Sequence, residues 1–278
     1  MLNLKVAAFA DEASKSFEAQ IRAMARNDIS LLEVRFVDEE NISVVSCEKA
    51  KLMRSKLDDN GMGVWSIGSP TGKISLKDEF GPHLDQFRHQ LDLANILGAQ
   101  HYRLFSFYDY DDSQACFDLV CERLASFLDA AKGTGVILCH ENEKGIYGDI
   151  AERCVKLHKA LPELKAVFDP ANFMQCGEVV LTAWERLAPY VEYLHIKDCN
   201  KDGKVVPPGT GMGSLPVLLK KYAEIGGEVV TLEPHLSKFI GLDQLENGEK
   251  TEAAISFANG DEAFDVAAAA LRKMILEG

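Results

Sequence analysis

Short apolar or β-branched runs alternate with amphipathic segments from one end of the chain to the other. The runs predict strands near 4–9, 30–35, 62–67, 101–106, 135–140, 165–169, 190–195 and 228–233. Between them, apolar positions at helical spacing predict helices near 16–27, 46–59, 83–97, 114–132, 149–160, 181–188 and 214–225, with a last one near 261–276. Asn60-Gly61, Gly98, Gly133 and Gly226-Gly227 mark helix ends, since glycine takes the left-handed conformation after a last turn at little cost. Eight strand–helix alternations with no break in composition predict a single α/β domain spanning residues 1–278, built on a parallel sheet. Eight is also the number of units that closes a (β/α)₈ TIM barrel of about 250 residues. An open doubly wound sheet competes, but no GxGxxG follows the first strand. The two longest predicted loops, 196–213 and 234–260, follow the last two strands, on the face where barrels carry their sites.

Four of these strands end on a residue of one chemical kind. Glu141 lies in ILCHEN (137–142), Asp169 in AVFDP (166–170), His195 in YLHIKD (193–198) and Glu233 in VVTLEP (229–234). Their separations of 28, 26 and 38 residues are close to one strand-plus-helix unit, which points to one shared pocket at the carboxyl edge of the sheet. Each has a bland reading alone: an ion pair for either glutamate, a turn cap for Asp169 before Pro170, a hydrogen-bonded core histidine for His195. Together they suit a divalent cation, because ionised groups near a core are costly unless paired or bound to metal. Carboxylate oxygens with one imidazole suit Mn²⁺, Mg²⁺, Zn²⁺ or Co²⁺ rather than a metal selected by thiolates, and manganese is the first expectation.

Composition narrows the partners. A chain that is 47% apolar and 26% charged is ordinary globular material. A net charge of −13 disfavours a nucleic-acid partner, whose phosphates are held by clustered Lys and Arg. No stretch approaches the roughly 20 apolar residues of a membrane span, so no membrane partner is expected. The seven cysteines (Cys47, Cys116, Cys121, Cys139, Cys154, Cys176, Cys199) are scattered, odd in number and without a CxxC pair, as expected of reduced thiols. The opening MLNLKVAAFADE runs straight into acids and lacks the form of a secretory signal, so the expected location is the cytoplasm.

Several short motifs, taken in order, resemble one family. HEN (140–142), FDPANF (168–173), HIKD (195–198) followed by PPGTGMG (207–213), and LEPH (232–235) are similar to the xylose-isomerase-like barrel superfamily of sugar isomerases and epimerases. That superfamily, often described as sugar phosphate isomerase/epimerase, includes the ketose 3-epimerases and inosose-processing enzymes. The resemblance runs over nearly the whole chain. It places the family's metal ligands on Glu141, Asp169, His195 and Glu233, and the ketose epimerases' acid/base pair on Glu141 and Glu233. One carboxylate would remove the proton beside a carbonyl while the metal stabilises an enediolate, and the other would return a proton on the opposite face.

The chain also departs from the ketose epimerases. Asn172 stands where they have a histidine, and an amide can hydrogen-bond a hydroxyl but cannot act as a general acid. Lys197 or Lys201 is the nearest equivalent of their arginine, and Tyr147 of their additional glutamate. Further candidate substrate contacts are Asn172, Lys197, His235, Glu33, Arg35 and Ser66, all near strand ends. For Lys197 the competing reading is a surface charge, for His235 a loop histidine, and for Glu33 and Arg35 a mutual ion pair. Trp65 and Phe105 read as core packing, Phe9 and Phe107 as either core or pocket wall, and YDYDD (108–112) as a solvated loop. The glycines of PPGTGMG read as turn-formers, since the lysine and hydroxyl of a phosphate-binding P-loop are missing.

The expected function is a metal-dependent sugar isomerase or epimerase acting on a small sugar or polyol, with a homo-oligomer compatible with the fold. Three alternatives stand beside it. A metal-dependent lyase or dehydratase acting on a sugar, inosose or related polyol would use the same ligands. An abasic-site endonuclease would need more histidines and a basic face. A non-catalytic sugar-binding barrel would have no need of the intact quartet.

Overall fold

Alternation with period two is the rule that organises the strands, because successive side chains of a strand point to opposite faces. In the computed structural model, which describes residues 1–238 and 252–278, eight parallel strands are hydrogen-bonded into a closed barrel. They are β1 (Lys5–Ala8), β2 (Leu31–Val34), β3 (Gly63–Gly68), β4 (His101–Leu104), β5 (Ile137–Glu141), β6 (Lys165–Phe168), β7 (Val191–Ile196) and β8 (Val229–Leu232). Each strand pairs with its neighbours in sequence, and β1 closes the ring on β8 through Lys5↔Val229 to Ala8↔Leu232. The protein is therefore a TIM barrel, as the strand count predicts.

The helices follow the predicted order: α1 (Phe17–Arg26), α2 (Cys47–Asp59), α3 (Phe80–Leu97), α4 (Gln114–Ala131), α5 (Ala151–Ala160), a short α6 (Pro170–Gln175), α7 (Val180–Leu187), α8 (Leu215–Glu224) and α9 (Gly260–Glu277). Their starts are written in capping side chains: Ser46 accepts from the Lys49 N–H, Ser113 from Cys116 and Asn259 from Glu262. Gly98 ends α3 in the left-handed conformation at φ 71°, as its place in the sequence predicts. Apolar helix positions such as Phe17, Ile21 and Met24, or Val180, Trp184 and Leu187, pack against the outward-facing residues Leu32, Ile67, Tyr102, Leu138, Phe168, Leu194 and Val230. That ring between sheet and helices is the main core. The barrel's interior is separate: at its amino end Cys139, Val167 and Tyr193 form a small plug with Trp65 against it.

Three features lie outside the pattern the sequence predicts. Helix α6 begins directly after Asp169, where no helix is expected. Two small antiparallel ladders, Phe36–Val37 with Glu40–Asn41 and Asp198–Cys199 with Val205–Val206, brace loops on the carboxyl face. The second braces the long loop after β7, where the Asp198 carboxylate accepts the N–H groups of Cys199, Gly209, Gly211 and Gly213 at 2.9–3.0 Å. A Cβ on Gly211 would stand 2.4 Å from Asp198 Oδ1, so the glycines of PPGTGMG let the backbone close around a carboxylate. Of the predicted loop 234–260, residues 239–251 lie outside the described part. The seven cysteines are free thiols, and among the described residues no helix is long and apolar enough to cross a membrane.

Candidate metal centre

One step of two residues along four strands converts the barrel's plug into a cluster of ligand-type groups. Cys139 is followed by Glu141, Val167 by Asp169, Tyr193 by His195 and Thr231 by Glu233. All four ligand-type residues are buried, and one donor atom from each lies within 4.8 Å of the others. His195 Nδ1 is 3.1 Å from Glu141 Oε1 and 3.0 Å from Glu233 Oε2. Asp169 is fixed from both sides. Its Oδ1 caps α6 by accepting from the Asn172 N–H at 2.9 Å, while the Asn142 side chain brackets its backbone N–H and carbonyl at 2.8 and 2.9 Å.

The far side of the histidine is equally specified. Glu33 Oε2 lies 3.2 Å from His195 Nε2 and accepts from Thr231 Oγ1 at 2.7 Å, and Glu33 Oε1 accepts from the Tyr193 hydroxyl at 2.9 Å. A carboxylate behind one ring nitrogen fixes the tautomer and turns the other nitrogen's lone pair toward the cluster.

The charges argue that this cluster is built for a cation. Burial works to lower the His195 pKa, but the carboxylates of Glu141, Glu33 and Glu233 hold it well above the imidazole range. For Asp169, burial, reinforced by Glu141 and Glu233 and opposed by Lys197, pushes the carboxyl up to about 7. Burial works to raise Glu141 and Glu233 as well, but His195 with Arg103, and Lys197 with His195, hold these two carboxyls below the usual range, so protons gather on Asp169 and His195. The donor set of three carboxylates and one imidazole, with one histidine nitrogen held in reserve for it, fits a divalent cation.

The expected substrate contacts divide by depth. Lys197 is buried, with Nζ 2.8 Å from Asp169 Oδ2 and 3.9 Å from Glu233 Oε2. Asn172 Nδ2 donates to the Asn142 carbonyl at 2.9 Å and to Glu141 Oε1 at 3.3 Å. His235 Nε2 lies 3.3 Å from Glu233 Oε1, in a left-handed backbone turn (φ 48°) whose N–H donates to Glu12 Oε2 at 2.6 Å. Arg35 reaches the same carboxylate, with Nη1 2.9 Å from Glu233 Oε1, and holds Asp11 through Nε at 2.8 Å and Glu12 through Nη2 at 3.3 Å. Its guanidinium supplies positive charge among Glu12, Glu233 and His235, a trio that could otherwise hold a cation.

Glu33 and Ser66 occupy a deeper layer than a substrate contact requires. Glu33 supports His195, and the Ser66 hydroxyl, fully buried, is 3.1 Å from that of Tyr193. The bulge that skips Trp65 between Val64 and Ser66 turns Ser66 inward at that depth. Phe107 packs with Phe80 and Phe127 in the outer core, and Tyr147 sits near Tyr110 and Phe117, away from the cluster. Phe9 is a pocket wall, its ring edge-on to His195 at 5.3 Å and 4.3 Å from the Arg35 guanidinium carbon. Phe105, expected as core, is buried yet carries two cations on its ring, Lys73 at 4.3 Å and Arg103 at 4.5 Å.

Sequence reasoning passed over Arg103, Asp11, Glu12, Tyr193 and Asn142. The signal for Arg103 was present: it stands two residues before Phe105 in HYRLF, in phase with the inward positions of β4. Asp11 and Glu12 are paired acids directly after an apolar strand, the same cue that marks Glu233.

Comparison with known proteins agrees with this geometry. The model of a family described as xylose isomerase-like TIM barrel matches residues 21–259. No curated protein sequence matches the chain significantly. Among solved structures, D-psicose 3-epimerase with D-tagatose from Clostridium cellulolyticum H10 aligns with a TM-score of 0.75 at 16% identity, over 98% of this chain and 99% of that one. The probable 3-DHS dehydratase AsbF from Bacillus anthracis gives 0.75 at 14%, over 97% and 98%. The IolI protein with a bound zinc atom gives 0.73 at 14%, over 99% of both chains. At these identities the likeness establishes the fold.

Proposed function

The chain belongs to the xylose isomerase-like TIM-barrel family, and from that premise we propose that it is a divalent-metal-dependent isomerase or epimerase of a small sugar or polyol-derived ketone. The observation that carries the reading is the convergence of Glu141, Asp169, His195 and Glu233 within 4.8 Å, with Glu33 behind the histidine. Manganese is our first choice of ion. When bound, the cation would polarise a carbonyl and its neighbouring hydroxyl.

The remaining chemistry belongs to the side chains. Glu141 and Glu233 both converge on His195, 3.1 and 3.0 Å from its Nδ1. One carboxylate accepts the proton from the carbon next to the carbonyl, leaving an enediolate. The other carboxyl delivers a proton to the opposite face, so the substrate changes configuration with no net loss of atoms. Arg103 at 2.9 Å from Glu141, and Arg35 at 2.9 Å from Glu233, hold each acid in place. Phe9 excludes water from the imidazole between them. Lys197 and Asn172 border Asp169 and Glu141, where a substrate's hydroxyls would be held.

A second reading, dehydration by a lyase, is favoured by one specific observation. Lys201, one equivalent of the epimerases' arginine, is exposed and paired with Asp202 at 2.9 Å, while Lys197 is buried beside the cluster. An ammonium there would steady the charge on a departing β-hydroxyl. The structural likeness to a dehydratase is compatible with that outcome.

Metal analysis after incubation with Mn²⁺ tests the first premise, and absence of a stoichiometric ion would sink both readings. Incubation with ketoses, polyols and inososes in D₂O, followed by NMR, then separates them. Deuterium entering without elimination supports isomerisation or epimerisation, and a keto-deoxy or enone product supports the lyase.

A further inference from the structure

Arg103 is a guanidinium buried to 2% exposure on the carboxyl face of the barrel, and only part of it is used. Its Nη1 donates to Glu141 Oε2 at 2.9 Å. Its Nε and Nη2 are buried and have no hydrogen-bond partner among the described residues. Buried donors are normally satisfied, so a pair of them on one side chain calls for an explanation. Holding Glu141 needs a single donor, which a lysine could supply.

The two unpartnered atoms are neighbours on one edge of the planar fork, the edge that meets both oxygens of a carboxylate in parallel. The groups around it hold it rigid. The guanidinium carbon lies 4.5 Å from the centre of the Phe105 ring and 5.4 Å from that of Phe9, so two aromatic faces fix its plane. Beside Nη2 the strand residue is Gly68; a Cβ there would stand 3.3 Å from Nη2 and 2.4 Å from Phe9 Cε1. Lys73 lies on the same Phe105 ring at 4.3 Å and pairs with Glu143 at 3.2 Å, adding positive charge to this wall.

We propose that the Nε–Nη2 edge of Arg103 binds an anionic group of the substrate, so that the substrate is a carboxylated sugar derivative, a polyhydroxy or keto acid, and not a neutral ketose. This rests on the metal-centre reading above, because Glu141 would face the reacting carbon while Arg103 holds the acid end.

A matched pair of probes tests it. D-Gluconate and D-sorbitol differ at one terminal carbon, carboxylate against hydroxymethyl, and each is titrated calorimetrically into the Mn²⁺-saturated protein. The wild type is expected to prefer gluconate by about tenfold to a hundredfold, the range of charge-assisted hydrogen bonds. Arg103→Gln is expected to reduce that preference to about twofold while still binding metal. Should that variant not fold, Arg103→Lys carries the test: it keeps a charge against Glu141 but lacks the second edge, so a reduced preference supports the proposal. Equal binding of the two probes by wild type, or an undiminished preference in either folded variant, overturns it. The metal titration reads the other premise separately. Metal binding without gluconate preference rejects only the anion site, and gluconate preference in protein that binds no metal rejects only the metal centre.

Discussion

The barrel's interior contains two layers made by the same strands and opposite in character. At the amino end, Cys139, Val167 and Tyr193 pack with Trp65 as an apolar plug. Two residues further along three of those strands stand Glu141, Asp169 and His195, joined by Glu233, Arg35, Arg103 and Lys197. The lower layer is stable by itself, since it buries apolar surface and its one prominent hydroxyl, Tyr193, is bonded to Glu33 and Ser66. The upper layer holds charges in a dry place and is satisfied only by their mutual pairing and, in our reading, by a cation. Packing thus sets the floor, and electrostatics sets what the floor supports.

The contrast can be broken hardest from above. Glu141→Gln or Glu233→Gln is expected to strip metal from the purified protein and cut turnover by about 10²–10⁴-fold, while far-UV circular dichroism stays native. Retained metal stoichiometry in both variants would show that the upper layer is an ion-pair network and nothing more.

Acid comes next. A cation must displace the proton that the surrounding carboxylates draw onto His195 and, below about pH 7, a second one from Asp169. Both folded-state pKa values are raised, so the protonated forms that compete with metal grow as pH falls. Affinity should therefore drop by about a hundredfold or more from pH 7.5 to 5.5, and more steeply below 7 than above it. Calorimetry in buffers of different ionisation enthalpy counts the protons released. A pH-independent affinity would remove these two residues from the ligand set.

Glu33 joins the two layers, and its effect should be intermediate. Glu33→Gln is expected to weaken metal binding by about 10–100-fold through the loosened imidazole, with the barrel still folded. An unchanged dissociation constant would reduce Glu33 to a core acceptor for Tyr193 and Thr231.

The smallest effect on function belongs to the floor. Val167→Ala should cost about 1–3 kcal/mol of stability in denaturant titration, from lost burial and a small cavity. Its metal affinity should stay within about threefold of wild type. A large loss of affinity would mean that the plug positions the ligands as well as supporting them.

How much of this was legible in the sequence follows from range. Strands such as 101–106 and helices such as 114–132 were readable because apolar periodicity is local, and the observed His101–Leu104 and Gln114–Ala131 fall within them. The quartet was readable because each member ends an apolar run and matches a family motif. Arg103 escaped although its phase with Phe105 in HYRLF marks the inward face, because that phase does not say what the guanidinium meets. Its importance comes from Glu141, 38 residues away, and from Phe9 on another strand. Helix α6 escaped because Asp169 and Pro170 read as a turn, whereas the Asp169 cap on Asn172 makes them a helix start.

The amino-acid sequence by itself determined the eightfold alternation of a parallel α/β domain and the four ligand-type residues at the ends of its strands, since each is a property of one strand and its neighbours in the chain. Only the tertiary structure decided which face of each strand is inside, that Glu33 backs His195, that Ser66 lies below the pocket, and that one edge of Arg103 is left for a ligand. Those outcomes depend on strand register and barrel closure, which bring together side chains from distant segments and decide which charges find partners.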